Sequence, residues 1–382
     1  MIAQGDAFAK QKNQTLNVLC VRSAKSSWNL HLLRAILSLR SEPGTPKGME
    51  NAEDPGKGDM NMALIIKPCN PNAQPCVHRM MEYLAELSGH GILTGQHTKT
   101  RGMEELHHIE KVTGKQPALL GFELLSYSPN INYRDTDDEC MAEVTGNYGT
   151  LRQAWEWAAR KGVVTFTWHW FSPLGGHGKA FYASNTNFDA SKALIDGTPE
   201  NKALLSDMDM MAALLRPFCE AGVPILWRPF HEGDGDWFWW GSQGAETVKG
   251  LWRLMYDRYT NLHGLNNLIW VWNSPVPACY PGDDTVDIIS RDMYPPAHQH
   301  TAHTDKLAEL RQITPQPRIT LIGEIGTIPS AAALAEEKAA WVSYMTWCGG
   351  FCLSEEHTTN EALNAMYHHP WAITKDLLPE LY

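Results

Sequence analysis

The feature that most constrains the fold is a regular alternation of short apolar runs with helical stretches, which begins near residue 64. One helical stretch, residues 77–89, places Val77, Met80, Leu84 and Leu87 on one face and ends at a glycine. Apolar runs that alternate with amphipathic helices predict a parallel sheet, and eight such units predict an α/β protein of the (β/α)₈ TIM-barrel class. The apolar runs lie at 91–98, 117–127, 161–170, 222–232, 267–273, 285–294, 318–324 and 343–349.

The main rival to this fold is a doubly wound open sheet. That fold carries a glycine-rich phosphate loop behind its first strand, and no such loop follows residues 91–98. The N-terminal part of the chain differs in character, because residues 41–62 are rich in Pro, Gly and charge and lack periodicity. We therefore expect an irregular or non-native N-terminal extension over residues 1–62 and a (β/α)₈ domain over residues 63–382.

Each apolar run ends in residues that are costly to bury. Because active sites of (β/α)₈ barrels form where the carboxyl ends of the strands converge, polar residues at eight successive ends indicate a chemically active cleft. Half of these ends also carry an aromatic neighbour. In chain order the residues are Gln96, His97, Ser126, Tyr127, Trp168, His169, Trp170, His231, Glu232, Trp272, Asn273, Asp292, Tyr294, Glu324 and Trp347.

Two carboxyl groups stand out among these strand ends. Glu232 ends the fourth run and Glu324 the seventh, and 324 − 232 gives a separation of 92 positions, so both can reach the same rim. Two carboxyl groups that face each other across a cleft, with no nucleotide or metal motif nearby, point to glycoside hydrolysis. The domain at 63–382 is therefore expected to be catalytic.

The surroundings of Glu232 fit the acid of such a pair. The stretch WRPFHEGDGDWFWWG, residues 227–241, holds six aromatic residues. An apolar surround and a second carboxylate both raise the pKa of a carboxyl group, so Glu232 could keep its proton near neutral pH. The chain has 15 Trp, and flat aromatic faces stack against sugar rings, although we expect half or more of these side chains to be core.

Metal-based alternatives are weak. A zinc protease motif would need a second His four residues after His231, where Gly235 stands. Asp234 and Asp236 resemble part of a calcium loop but lack its spaced oxygen ligands and terminal Glu. Neither the Cys69/Cys76 pair nor the Cys348/Cys352 pair has a partner pair at zinc spacing. We expect no metal, and a Cys69–Cys76 disulfide stays open beside free thiols.

Purely structural interpretations of the same residues also stay open. Glu232 could be structural, and Glu324 could belong to a buried ion pair. Arg228, which is in strand phase with Glu232, is equally likely to be a purely structural ion-pair partner. His169 alone would suit a satisfied core histidine. Its position between two tryptophans favours a contact to a substrate hydroxyl.

Charge and hydropathy exclude several classes of partner. A net charge of −11 and a pI near 5.8 argue against nucleic acids and anionic membranes. No stretch reaches the roughly 18 apolar residues of a membrane span. The best early apolar run, 28–39, is interrupted by Arg34 and starts late, so no clear signal peptide is visible.

Taken together, the motifs resemble glycoside hydrolase family 26, most of whose members are endo-β-1,4-mannanases. The resemblance covers about residues 66–382, and its most specific part is the combination of WRPFHE and WFWWG, whereas GEIG alone would be weak. It implies a (β/α)₈ barrel that retains anomeric configuration and uses neither metal nor cofactor. The other motifs that carry it are NPNAQP, ILTGQHT, TGKQPALLGFELLSY, ARKGVVTFTWHW, FYASNTNFDASKAL and ISRDMYP.

The resemblance also implies roles for individual residues. Glu232 in RPFHE matches the acid/base and Glu324 in GEIG matches the nucleophile. Tyr294 in DMYP matches the tyrosine that hydrogen-bonds the nucleophile, and Trp237 matches an aromatic residue near the leaving-group side.

Further substrate contacts follow from the same resemblance. His169 and Trp347 match residues that line the subsite where the glycosyl ring is distorted, and His231 lies beside the acid/base. Additional candidates, which packing or ion pairing could equally explain, are Arg228, Trp239, Trp240 and Trp272.

The expected activity is that of a retaining endo-glycoside hydrolase that cleaves β-1,4-mannosidic bonds in mannan, glucomannan or galactomannan by double displacement. Two alternatives stay open: the same fold and mechanism acting on mixed-linkage β-glucan or β-1,3-xylan, and a non-catalytic carbohydrate-binding protein. We expect a monomer whose partners are β-mannan polysaccharides and manno-oligosaccharides. A polymer substrate requires export, so an extracellular location is expected.

Overall fold

The structure is a computed structural model that describes residues 63–382, so the extension predicted for residues 1–62 lies outside the described residues. Seven parallel strands pair with one another in chain order, and almost every strand residue is buried. Burial on both faces explains why the runs are continuously apolar rather than alternating. The strands are β1 (Gly95–His97), β2 (Leu119–Glu123), β3 (Val163–Thr167), β4 (Ile225–Arg228), β5 (Leu268–Asn273), β6 (Ile288–Met293) and β7 (Ile319–Ile325).

Residues 341–347, here called the closing segment, join the two edges of this sheet. On the β1 side the Thr346 N–H donates to the Gly95 carbonyl at 3.1 Å, and on the β7 side the Trp347 N–H donates to the Ile325 carbonyl at 3.0 Å. The bridges on both sides are parallel. Eight extended segments therefore close a barrel, which confirms the predicted (β/α)₈ fold, although the eighth pairs through isolated bridges instead of a continuous ladder.

Helices connect the strands. Within residues 63–382, no helix is long and apolar enough to cross a membrane. The helices are α1 (Pro75–Leu87), α2 (Glu104–Thr113), α3 (Asp138–Gly146), α4 (Thr150–Ala159), α5 (Pro199–Glu220), α6 (Ala245–Asp257), α7 (Thr304–Leu310), α8 (Ala331–Glu336), α9 (Gly350–Leu353) and α10 (Asn360–His368). Short turns are the 3₁₀ helices Leu125–Tyr127, Ala183–Asn185, Lys192–Leu194, Pro277–Cys279, Arg311–Ile313 and Lys375–Leu377 and the π-helix Arg258–Leu262, and the two-residue strands Ile92–Leu93 and Ala372–Ile373 pair in parallel.

One end of the barrel is apolar. The face predicted for α1 is buried, and Met80 and Leu84 pack in one cluster with Leu119 and Ile319, which begin β2 and β7. Burial of such side chains is worth about 1.5–3 kcal/mol each. Since this end is filled with hydrocarbon, the polar strand ends lie at the opposite rim.

The cysteines of the described part of the chain are free. Cys76 is buried and Cys69 is partly buried, and neither forms a disulfide. The backbone N–H of Cys69 instead donates to the buried carboxylate of Asp287 at 2.6 Å. The possible Cys69–Cys76 disulfide is therefore not present, and a hydrogen bond to the barrel anchors this segment.

Candidate active site

Glu324 lies near the end of β7, and two donors hold its carboxylate. The Tyr294 hydroxyl donates to Oε2 at 2.8 Å, and Arg228 Nη2 donates to Oε1. The Glu324 side chain is 4% exposed, so its oxygens are fixed and nearly withdrawn from bulk water. Charge-assisted hydrogen bonds of this kind are among the stronger ones in proteins.

Arg228, the last residue of β4, is the cation of this cluster. Its Nη1 donates to Asp292 Oδ2 at 2.8 Å and its Nη2 also donates to Thr167 Oγ1 at 3.0 Å. Burial alone would lower the pKa of Arg228, but the carboxylates of Asp292 and Glu324 outweigh it and raise that pKa. The guanidinium therefore stays charged between two carboxyl groups, and the ion pair that the sequence left open for Glu324 is present.

Asp292 is the second carboxyl group in contact with Arg228. Burial raises the pKa of Asp292 to about 7, and the nearby charge of Glu324 acts in the same direction, against the lowering effect of Arg228. Asn273 Nδ2 donates to Asp292 Oδ1 at 2.8 Å. Burial and the charge of Glu324 thus make Asp292 easier to protonate than an exposed aspartate.

A glycine makes room for this cluster. The register between β6 and β7 shifts between Arg291 and Asp292, so Gly323 is an extra residue on β7 immediately before Glu324. A Cβ atom on Gly323 would lie 2.5 Å from both Asn273 Nδ2 and Asp292 Oδ1. The bulge therefore aims Glu324 into the cluster while the absent side chain leaves space for the Asn273–Asp292 hydrogen bond.

The backbone that carries Glu232 is strained. Glu232 has φ of 50° and Phe230 has φ of 51°, in the left-handed region that non-glycine residues rarely adopt. Such conformations cost about 1–3 kcal/mol each and persist where the surroundings enforce them. Here the Glu232 N–H donates to Asn273 Oδ1 at 2.8 Å, and Trp240 Nε1 donates to the His231 carbonyl at 2.9 Å.

The carboxyl group of Glu232 has a different environment from that of Glu324. It is only partly buried, and Trp237 Nε1 donates to its Oε2 at 2.8 Å. Burial raises the pKa of Glu232, the charge of Asp292 raises it further, and the Trp237 hydrogen bond lowers it in part. A carboxyl group that holds its proton above the usual range is suited to act as an acid.

One continuous hydrogen-bond network joins the two glutamates. It runs from the Glu232 N–H to Asn273, from Asn273 to Asp292, from Asp292 to Arg228 and from Arg228 to Glu324. The structure therefore brings both predicted carboxyl groups to one rim of the barrel. Asn273 connects the two halves of the network, a role that its place at a strand end did not reveal.

A pair of histidines borders this cluster. His169 Nδ1 contacts Glu123 Oε2 at 2.7 Å, and its Nε2 lies 3.1 Å from His231 Nε2. Burial alone would lower the pKa of His169, but Glu123 outweighs it and raises that pKa, whereas burial and His169 lower the pKa of His231 well below its usual range. His169 is therefore the more easily protonated of the two rings, and a substrate hydroxyl would compete for an Nε2 that already lies within hydrogen-bond distance of His231.

Trp347 forms an aromatic wall beside these histidines. Its ring stacks on His97 with centroids 4.1 Å apart, and it lies 5.9 Å from the ring of His169. His97 is buried, and among residues 63–382 neither of its ring nitrogens has a hydrogen-bond partner. Trp347 itself is partly exposed, so one indole surface is available to a ligand.

Burial separates the tryptophans into two groups. Ten of the fourteen within residues 63–382 are fully buried, as expected for a core role of half or more. Four of the predicted substrate contacts are at most 1% exposed, so they pack beneath the site and offer no surface to a ligand. They are Trp239, Trp240, Trp272 and His231. Trp237, by contrast, is 46% exposed beside Glu232.

Sequence reasoning missed Glu123 as a site residue. It ends β2, but the apolar run there continues through Leu124 and Leu125, so the polar end was assigned to Ser126 and Tyr127. A charged residue inside an otherwise apolar run was the signal that could have identified it, since buried carboxylates require partners.

The metal alternatives gain no support from the geometry. Within the part of the chain that the structure describes, no three His, Cys, Asp or Glu side chains converge as ligands. Asp234 and Asp236 are exposed, and the Gly235 N–H between them donates to the Glu232 carbonyl at 2.9 Å in a tight turn. That turn returns the chain toward Trp237.

Comparison with known proteins identifies relatives of this arrangement. The profile described as Glycosyl hydrolase family 26 matches residues 69–377. A curated mannan endo-1,4-beta-mannosidase from Thermothelomyces thermophilus is 35% identical over 315 residues, which is 80% of this chain and 62% of that protein. This chain therefore spans less than two thirds of that relative.

Solved structures of mannanases are also similar to this chain. A Podospora anserina GH26-CBM35 β-(1,4)-mannanase has a TM-score of 0.75 at 32% identity and covers 85% of this chain and 71% of its own. A β-mannanase from a symbiotic protist of the termite Reticulitermes speratus, complexed with gluco-manno-oligosaccharide, has a TM-score of 0.75 at 28% identity, over 84% of this chain and 99% of that one.

Proposed function

The chain belongs to glycosyl hydrolase family 26, and from that premise we propose that it is an endo-β-1,4-mannanase that cleaves mannan, glucomannan or galactomannan with retention of configuration. Glu324 is the nucleophile and Glu232 is the acid/base. The observation that carries this proposal is the hydrogen-bond network that joins the Glu232 backbone to the Glu324 carboxylate at the polar rim of the barrel.

In the first step, the Glu324 carboxylate attacks the anomeric carbon while Glu232 gives its proton to the departing glycosidic oxygen. The C–O bond to the leaving chain breaks as the bond to Glu324 forms, through an oxocarbenium-like transition state. Tyr294 and Arg228 hold the two Glu324 oxygens, so the attacking atom needs little reorganisation.

In the second step, the deprotonated Glu232 removes a proton from water, which attacks the anomeric carbon and releases Glu324. Formation of the glycosyl-enzyme neutralises Glu324, and the loss of that negative charge lowers the pKa of Glu232. This change supports the switch from acid to base. Retention requires the two carboxyl groups to lie about 5–5.5 Å apart.

Exposed aromatic groups provide the sugar contacts in this proposal. Trp347, beside His169, lines the subsite of the distorted ring, and the exposed face of Trp237 lies on the leaving-group side. Stacking against the apolar face of a pyranose holds the ring while its hydroxyls bind polar groups. The enzyme is proposed to act outside the cell, because its substrate is a polymer, and a monomer is the proposed state.

The test is a panel of polysaccharides assayed for reducing sugar. We expect release from mannan, glucomannan and galactomannan, and at least tenfold less from barley β-glucan or β-1,3-xylan. NMR of the first product should show the β-anomer. Preferred hydrolysis of β-glucan or xylan would reassign the substrate, an α-anomer would reject the double displacement, and binding without hydrolysis would reduce the protein to a carbohydrate-binding role.

A further inference from the structure

A second concavity lies beside the cleft on the Trp237 side. The segments 181–183 and 237–239 pair in antiparallel fashion, with a bridge between Tyr182 and Phe238 and a hydrogen bond from the Ala183 N–H to the Trp237 carbonyl at 2.7 Å. This paired wall separates Trp237 from a cavity of about 370 Å³, here called the side pocket. Residues that line it include Ala183, Thr186, Asn187, Asp189, Trp239 and Gln243.

The lining of the side pocket suits a ligand rich in hydroxyl groups. Asn187 and Gln243 contribute amides, each with two donor hydrogens and an acceptor oxygen. Asp189 Oδ1 accepts hydrogen bonds from the Ser191 hydroxyl at 2.6 Å and from the Ser191 N–H at 3.1 Å, and Oδ2 pairs with Lys192 Nζ at 3.3 Å, so the carboxylate is fixed. The Ser191 hydroxyl is the largest influence that lowers the pKa of Asp189, so this group is an ionised acceptor near neutral pH.

Aromatic stacking contributes little in this pocket. Trp239 is only 1% exposed and Phe188 only 6%, so neither presents an open ring face. The cavity volume lies near the lower end of the roughly 300–1,000 Å³ of small-molecule sites, which suits one sugar unit better than a length of polymer. Recognition would therefore depend on hydrogen bonds to the hydroxyls of a single ring.

We propose that the side pocket binds a single hexosyl branch carried by the part of the polysaccharide that leaves the site. The inference rests on the proposed function, in which Glu232 and Trp237 face the leaving group. The main chain follows the exposed face of Trp237, and the paired wall keeps it out of the pocket. A substituent on the exocyclic hydroxymethyl group of a main-chain sugar points away from the chain axis, so it can reach over that wall into the side pocket.

The first experiment compares linear mannohexaose with manno-oligosaccharides that carry α-1,6-galactosyl branches. In the double variant Asn187→Ala/Gln243→Ala, the ratio of kcat/KM for branched over linear substrate should fall about threefold to tenfold, as expected for lost neutral hydrogen bonds. Ser184→Ala, an exposed substitution on the same loop outside the pocket, is the matched control and should leave the ratio unchanged. An unchanged ratio in the double variant would overturn the proposal.

Product analysis gives a second readout. Hydrolysis of the branched substrate in ¹⁸O-labelled water should leave the galactosyl unit on the unlabelled product, which comes from the leaving-group side. The inference would be overturned if the branches were found only on the labelled product. It would also be overturned if the double variant lost activity on linear chains in proportion to the length of the chain. If the wild-type protein cleaves no linear mannan, the proposed function itself fails, which is a separate result.

Discussion

Glu324 and Glu232 lie at one rim of the barrel, yet their carboxyl groups have different environments. Glu324 is 4% exposed at its side chain and accepts hydrogen bonds from Tyr294 and a guanidinium, whereas Glu232 is partly exposed and accepts one from an indole. The cation that contacts Glu324 holds its oxygen in a fixed position, while the desolvation of Glu232 raises the pKa of that carboxyl group. Two chemically identical side chains thus have surroundings that suit the two different roles proposed for them.

Their supporting backbones differ in the same way. Glu324 belongs to a strand and is aimed by a bulge at Gly323, so its position is set by the barrel itself. Glu232 follows β4 in a strained turn that Asn273 holds. This difference suits the proposed roles, because a nucleophile must meet one carbon atom accurately, whereas an acid that later becomes a base must reach both a leaving oxygen and a water molecule.

The strongest way to break this comparison is to remove the nucleophile. Glu324→Ala should lower kcat by about 10⁴-fold or more for every substrate, because no leaving group compensates for a missing nucleophile. Steady-state assays with mannohexaose and with a dinitrophenyl mannobioside measure this. Azide added to the variant should form the α-mannosyl azide, since it attacks from the side that Glu324 occupied. A β-azide, or loss of less than tenfold, would remove Glu324 from the mechanism.

Stability must be controlled in that experiment. Removing Glu324 leaves the buried Arg228 guanidinium with Asp292 as its remaining carboxylate partner, so the loss should lie below the roughly 3–5 kcal/mol that is typical when a buried charge is left unpaired. Thermal unfolding followed by circular dichroism should show a folded but less stable variant. Glu324→Gln keeps an acceptor oxygen for Arg228 and serves as the matched variant that separates lost folding from lost chemistry.

The second test removes the acid instead. Glu232→Ala should lower kcat/KM for mannohexaose by about 10²–10⁴-fold, the usual contribution of general acid–base catalysis. The loss should be much smaller for the dinitrophenyl mannobioside, because that leaving group needs no proton. Azide should here form the β-mannosyl azide by replacing water in the second step. Equal losses on both substrates would show that the two roles are assigned the wrong way round.

The comparison of the two glutamates also shows which features of the fold and the site could be predicted from the sequence. The rim position of both glutamates and all eight extended segments of the barrel followed from local patterns, because hydrophobic periodicity reports burial and strand ends report the rim. The pairing of Glu123 with His169 and the bridge through Asn273 depend on which residues meet across separate strands. Register of that kind is set by the closed barrel, and no short stretch of sequence contains it.

The exposure of individual aromatic residues is a second feature that could not be predicted from the sequence. Trp237 and Trp240 stand in the same WFWW run, yet one is 46% exposed and the other 0%. Composition and spacing cannot distinguish them, because a turn rather than a regular strand sets which side each indole faces. The bulge at Gly323 is a similar case, since only the positions of Asn273 and Asp292 show why a side chain there would clash.

The Asp292 carboxylate influences both glutamates, so removing its charge tests how the two are coupled. Asp292 raises the pKa of Glu232 and contacts the arginine that holds Glu324. Asp292→Asn should therefore lower the pKa of Glu232, and the alkaline limb of kcat/KM against pH should move to lower pH, because the acid must be protonated in the first step. The weakened Arg228 pairing should also reduce kcat/KM about tenfold to hundredfold at the optimum. A limb that stays in place or moves to higher pH would contradict this coupling.

The smallest expected effect distinguishes the indole donor from the aromatic face of Trp237. The hydrogen bond from Trp237 Nε1 stabilises the charged form of Glu232 and lowers its pKa, so Trp237→Phe should raise that pKa and move the alkaline limb to higher pH, opposite to Asp292→Asn. Since phenylalanine keeps a ring against the sugar, kcat/KM at the optimum should fall only about twofold to fivefold. Trp237→Ala, the matched variant, should move the limb by the same amount but also raise KM, because stacking is lost as well. If both variants left the limb unchanged while KM rose, Trp237 would be a sugar platform alone, and the proton affinity of Glu232 would depend on burial and Asp292.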